Sequence, residues 1–326
     1  MTSIDWPALG RMPSLEGATG WLNSSPLAAA DLGKVVVINF CTYSCINWLR
    51  SLPYVRAWAA KYKDQGLVMI GVHTPEFSFE RNVENVREAL AEMRVVYPVA
   101  LDNDYTVWDA FANRYWPALY FVDAHGRIRH HRFGEGDYER SESVIQQLLV
   151  DAGATDAGAG LVSVNAAGPE AEADWDDLRS PETYLGYEQT RYFASPEEMT
   201  HERRRVYSGP ESLKPNEWSL LGAWTAKAES VVSNEPKGRI QISFHARDVN
   251  LVMGPLDRGP SVPFRVSIDG QPPLGASGSD VDGDGSGVLV QQKMYQLVRQ
   301  PGLIVDRVFA IEFLDRAAEG FVFTFG

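Results

Sequence analysis

Cysteine is nearly absent from this chain: in 326 residues there are two, Cys41 and Cys45, both in one turn. Two thiols cannot build the stapling framework of a small secreted domain, so redox or nucleophilic use is the better reading. Positive charge is scarce as well, with 30 Lys and Arg against 43 Asp and Glu and a net charge of -13. That balance excludes nucleic acid and anionic membrane as default partners, since both need a basic surface. The basic run Arg203-Arg204-Arg205 sits in acidic sequence and reads as a solvated face. No window approaches the roughly 20 apolar residues of a membrane span. The first thirty residues lack the basic start and apolar run of a secretory signal, so a cytoplasmic protein without a membrane partner is expected. P-loop, dinucleotide fingerprint and zinc spacing are also missing.

What is present is ordinary globular material, 44% hydrophobic and 22% charged, long enough for two domains. The first 150 residues alternate buried-strand runs with helical patterns. VVVINF at 35–40 is a continuous apolar run, as expected of a central strand covered on both faces. A helix follows from Ile46, with Pro53 predicting a kink. A second strand at 67–72, a helix at 82–93, a short extended piece at 97–100 and a helix at 106–113 come next. A strand at 116–123, a hairpin arm at 127–133 and a helix at 141–150 complete an α/β unit assigned to residues 1–152. Residues 153–179 are rich in Ala, Gly and acidic side chains, which is linker chemistry. From 180 to 326, short alternating segments separated by Gly, Pro and Asp turns predict an antiparallel, all-β sandwich of jelly-roll-like character.

Cys45 follows a buried strand and opens a helix. A free thiol titrates near about 8.5, and a helix N-terminus lowers that value by favouring the thiolate. Cys45 is therefore the candidate nucleophile. Cys41, at the end of the strand, either fills core volume or resolves Cys45 within the turn. His73 and Glu76, in the HTPE turn after the second strand, are candidate helpers at the carboxyl edge of the sheet, where ligands usually bind.

The order of strand, turn, cysteine, helix and later Trp-Pro before a strand resembles the thioredoxin fold. TYSCIN at 42–47, IGVHTPEF at 70–77, YPVALDNDY at 97–105, RYWPALYFVD at 114–123 and FGEGDYE at 133–139 are similar to the redoxin, or AhpC/TSA, branch. The likeness extends to the soluble part of DipZ-type thiol-disulfide interchange proteins, where a β-rich domain resembling a carbohydrate-binding module follows. SPETYLGY at 180–187 looks like its entry sequence. The resemblance implies Cys45 as nucleophile, Pro117 in the cis-proline place, and the Trp116–Pro117 loop as receiver of an extended substrate. It implies a second cysteine at position 48, where this chain has Trp48, and a tryptophan where it has Cys41. Trp48 is expected instead as a substrate contact, together with Trp116, Pro117, His73 and Glu76.

Without a cysteine at 48, three reactions stay open. Cys45 could reduce a peroxide with help from the Thr42 hydroxyl, be resolved by Cys41, or form only mixed disulfides; the one-cysteine routes need an external thiol. The competing reading is a non-catalytic scaffold whose β domain binds protein or carbohydrate, with Trp218, Trp224, Tyr184 and Tyr187 as a sugar face. Asp280, Asp282 and Asp284 match the opening of a calcium loop, but its twelfth position is Gln291 rather than Glu, so no cofactor is expected beyond a weak Ca²⁺ site.

Overall fold

A computed structural model describes residues 8–27, 33–155, 157–158 and 160–326. Parts of the leading loop and of the turn before the first strong strand, at 1–7 and 28–32, lie outside the described residues. The chain divides into two compact units, Met1–Glu170 and Ala171–Gly326.

The first unit is built on the strand the apolar run predicted. β1 (Gly10–Arg11) and β2 (Gly20–Leu22) are short edge pieces; β3 (Val35–Cys41) is buried at all seven positions. α1 (Ile46–Tyr62) leads to β4 (Leu67–His73), α2 (Val83–Glu92), β5 (Val99–Leu101) and α3 (Thr106–Ala110). β6 (Ala118–Val122), β7 (Arg127–Phe133) and α4 (Tyr138–Asp151) follow. Pro53 does not interrupt α1. The sheet order is β1-β7-β6-β3-β4-β5-β2, with β3, β4 and β5 parallel and the other pairings antiparallel. A buried parallel centre explains why β3 reads as a solid apolar run instead of an alternating one. Val36, Ile38 and Phe40 face a core shared with Ile70, Val72, Val107, Trp108, Phe111 and Tyr120. The opposite face of β3 carries Asn39, which accepts from the Trp48 indole of α1 at 2.9 Å, and α4 packs against β3 and β6.

The segment expected as a linker divides between the units. Residues 160–170 are held to the first one: Lys61 Nζ and Gln146 Nε2 donate to the Gly160 carbonyl, Val162 N–H donates to Glu142, and Arg56 pairs with Glu170 at 2.8 Å. Apart from the Arg56–Glu170 ion pair these are backbone groups taken up by helix side chains, so apolar composition does not report them.

The second unit comprises β8 (Thr183–Tyr184), β9 (Arg204–Tyr207), β10 (Trp218–Ala226), β11 (Val231–Ser233), β12 (Gly238–Phe244) and β13 (Asp248–Pro255). β14 (Val262–Ile268), β15 (Ser286–Leu289), β16 (Lys293–Arg299), β17 (Arg307–Phe313) and β18 (Ala318–Phe325) complete it. The path runs β15-β14-β17-β12-β10-β11-β18-β13-β16, all antiparallel, with β8 on β18 and β9 on β10. β10 belongs to both halves: 218–221 pair with β12, while 222–226 pair with β9 and, at their end, with β11. Gly222 at the changeover has φ +91, a backbone region that glycine enters without a Cβ penalty. The sheet folds over a core in which Phe309 meets Phe323 edge-on at 5.9 Å and Trp224 meets Phe313 at the same spacing. Trp218 and Trp224 are 0% exposed and belong to that core, not to a sugar-binding face. Alternation marks which residues share a side of a strand, not which side is covered.

Candidate functional site

β3 ends at Cys41, and Thr42, Tyr43 and Ser44 form the turn into α1. Cys45 is the N-cap residue: its backbone is extended (φ -75, ψ 117) and its carbonyl accepts the first helical hydrogen bond, from Leu49 N–H at 3.0 Å. Its thiol is half-buried and points to the Trp116 carbonyl, Sγ to O 3.8 Å. The Trp116–Pro117 peptide is cis. The Trp116 indole donates to the Thr74 carbonyl at 3.1 Å and leans on Trp108 at 4.3 Å. Asp102 ties Thr74 to the first turn of α3. One carboxyl oxygen accepts from Val107 N–H and the other from Trp108 N–H and Thr74 Oγ1, at 2.8–3.1 Å. Burial raises the Asp102 pKa against those donors.

Around this centre the candidates separate. Cys41, considered as a resolving cysteine, is 1% exposed, its thiol donating to the Val72 carbonyl at 3.5 Å. Burial pushes that thiol up, and the Glu80 charge adds to the effect, so Cys41 is held as a neutral core thiol. Thr42, the candidate peroxide-binding hydroxyl, is fully buried. His73 is 0% exposed with both ring nitrogens unpartnered, and burial lowers its pKa to about 4. Its ring stacks on Tyr43 at 5.7 Å. A proton shuttle to solvent is not what this position provides. Trp48, considered as a substrate contact, is 0% exposed and ties α1 to Asn39. Glu76 is half-buried and donates its backbone N–H to Glu80 at 2.6 Å. Cys45, Trp116 and Pro117 are brought together; Cys41, Thr42, Trp48 and His73 lie in the packed layer around them.

One buried carboxyl at the site escaped the reading of the sequence. Glu80 is 0% exposed and accepts from Ser44 Oγ at 2.6 Å, Ser44 N–H at 3.3 Å, Glu76 N–H and Phe77 N–H at 3.0 Å. It clamps the residue before Cys45 to the HTPE turn. Burial raises its pKa despite those donors. Its one sequence signal is a charge following Phe77 and Phe79, both buried. Arg50 of α1 forms a buried ion pair with Glu135 at 3.0 Å.

In the second unit, Asp282 accepts from Asp284 and Ser286 N–H, and Asp280 from Gln296 N–H with Lys293 at 3.5 Å. Among the described residues, no group of three or more His, Cys, Asp and Glu converges to hold a metal.

Residues 10–131 match the family model described as AhpC/TSA family, and residues 180–326 match the one described as thioredoxin like C-terminal domain. Thiol-disulfide oxidoreductase YkuV of Bacillus subtilis is 31% identical over 141 residues, covering 43% of this chain and 95% of YkuV. The chain belongs to the thioredoxin-like AhpC/TSA family. Another relative is Protein DipZ of Mycobacterium bovis, 40% identical over 253 residues, 75% of this chain. The chain spans 35% of the length of that DipZ protein. A solved thioredoxin-like protein in its oxidised form is 30% identical, with 44% of this chain and 96% of its own covered at a TM-score of 0.41. The AhpC/TSA match holds Cys45, Trp116 and Pro117 within the first unit, and the C-terminal match spans all the strands of the second.

Proposed function

We propose that this AhpC/TSA-family chain is a thiol-disulfide oxidoreductase that works through Cys45 alone. The observation that carries the reading is the placement of the Cys45 thiol, half-buried at the N-cap of α1 and facing the Trp116 carbonyl beside Pro117. The α1 N-terminus favours the thiolate there. The thiolate attacks one sulfur of a substrate disulfide; a new S–S bond forms to Cys45 and the second sulfur leaves as thiolate. An external thiol then attacks the mixed disulfide, restoring Cys45 and leaving the substrate sulfur joined to that thiol. Three features support this one-cysteine course over internal resolution or peroxide reduction: Trp48 at the resolving position, the buried neutral Cys41, and the buried Thr42.

Incubation with oxidised glutathione followed by intact-mass measurement tests it. The expected result is a single glutathione adduct on Cys45 in wild type and Cys41→Ser, none in Cys45→Ser, and release by excess small thiol. A Cys41–Cys45 bridge would move the resolving step into the chain. An unmodified Cys45 would sink the reading and leave a binding protein.

A further inference from the structure

The first unit keeps two large aromatic side chains in solvent next to the candidate site. Tyr115 is 52% exposed and Phe133 38%, and their rings stack with centroids 5.0 Å apart. The exposed His131 ring continues the stack at 4.4 Å from Phe133, and Tyr120 supports Phe133 edge-on from the core at 5.9 Å. These rings are anchored to the residues that frame the thiol. Tyr115 precedes Trp116, whose carbonyl faces Cys45 Sγ. Phe133 pairs with Ala118 across the sheet, and Gly134 N–H donates to the Pro117 carbonyl at 2.8 Å.

Apolar rings in water are unfavourable, and a contiguous exposed patch at a site marks an interaction surface. A peroxide has no use for such a surface, because two oxygens are held by hydrogen bonds at the thiol alone. A polypeptide has one: as it crosses the Trp116–Pro117 loop, its neighbouring side chains pass over these rings. The charged neighbours favour an acidic chain. Arg114 is exposed next to Tyr115 in the chain, and Glu135 is engaged with Arg50.

We propose that the Tyr115–Phe133–His131 stack is a docking platform for the polypeptide substrate of Cys45, selecting a segment with an aromatic side chain next to its cysteine and acidic residues around it. This rests on the disulfide-exchange reading. The test uses two acidic peptides, each with one cysteine capped as a disulfide with glutathione, differing only in Tyr or Ser beside that cysteine. With the full chain, the tyrosine peptide should form the Cys45 adduct about five- to tenfold faster, the factor expected from one aromatic stacking contact. In Tyr115→Ser/Phe133→Ser that ratio should fall to near one, while Tyr115→Phe keeps it, with circular dichroism confirming that both variants fold. Equal rates for the two peptides in wild type, or a preference that survives the double variant, would overturn the platform. Fluorescence anisotropy of labelled peptides on Cys45→Ser separates the two claims. If wild type does not react with oxidised glutathione, the exchange reading falls. The platform then stands or falls on whether Cys45→Ser binds the tyrosine peptide more tightly than the serine one. A wild-type dimer that the double variant loses would assign the rings to a second copy and overturn it too.

Discussion

His73 lies at the end of β4 in register with Cys41, its imidazole stacked on Tyr43 and without a hydrogen bond on either nitrogen. Burial lowers its pKa to about 4, against 6.5 in an unfolded chain. Between those values the unfolded chain binds a proton that the folded one refuses, so stability falls as pH drops through about 6.5 to 4 and levels off below. A shift of that size corresponds to roughly 3 kcal/mol. The neighbouring Glu80, raised by burial, contributes with the opposite sign, and Cys41 stays neutral throughout. His73→Phe keeps the stacking and removes the titration. Urea unfolding at pH 7 and 4.5 should show a larger loss for wild type than for His73→Phe; parallel losses would refute the assignment. At this scale Cys45 and Pro117 were legible, because strand, turn, cysteine, helix and Trp-Pro are local patterns. Glu80 was not, since its partner Ser44 lies 36 residues away and only the closed fold joins them.

The start of α1 depends on an element it does not touch in sequence. Arg50, in its second turn, is paired at 3.0 Å with Glu135 in the turn after β7, their side chains 3% and 9% exposed. Removing one partner of a buried pair leaves an uncompensated charge, at a cost of about 3–5 kcal/mol. Glu135→Gln should therefore lower the urea midpoint of the first unit; an unchanged midpoint would show that Arg50 is satisfied by its other neighbours. Boundaries of elements were less readable than their existence. The helix expected over 106–113 stops at Ala110, with Ala112 soon after at φ +49. The one expected at 141 starts at Tyr138, after Asp137 at φ +55. Left-handed backbone at alanine or aspartate leaves little trace in sequence, because glycine is its usual signal.

Across the whole molecule, the change in composition after α4 was legible but the place where one unit hands over to the next was not. Glu142 on α4 accepts from Tyr62 Oη at 2.5 Å, Lys61 Nζ at 2.9 Å, Trp58 Nε1 at 3.2 Å and Val162 N–H at 2.8 and 3.0 Å. Burial pushes its pKa up, but these donors outweigh it and hold the carboxyl ionised below its usual range. Glu142→Ala removes the acceptor and leaves buried donors unmet, at a cost of about 1–3 kcal/mol. Limited proteolysis should then cut within 158–162 faster than in wild type. Equal rates would mean that Arg56 and Glu170 hold the segment unaided.

The shared strand of the second unit carries a consequence for how that unit comes apart. β10 gives its first half to the β12 side and its second to β9 and β11, with Gly222 between them. The two halves of the β structure are thus joined through one continuous strand. The second unit should unfold cooperatively, as one transition with no half-melted sheet in between.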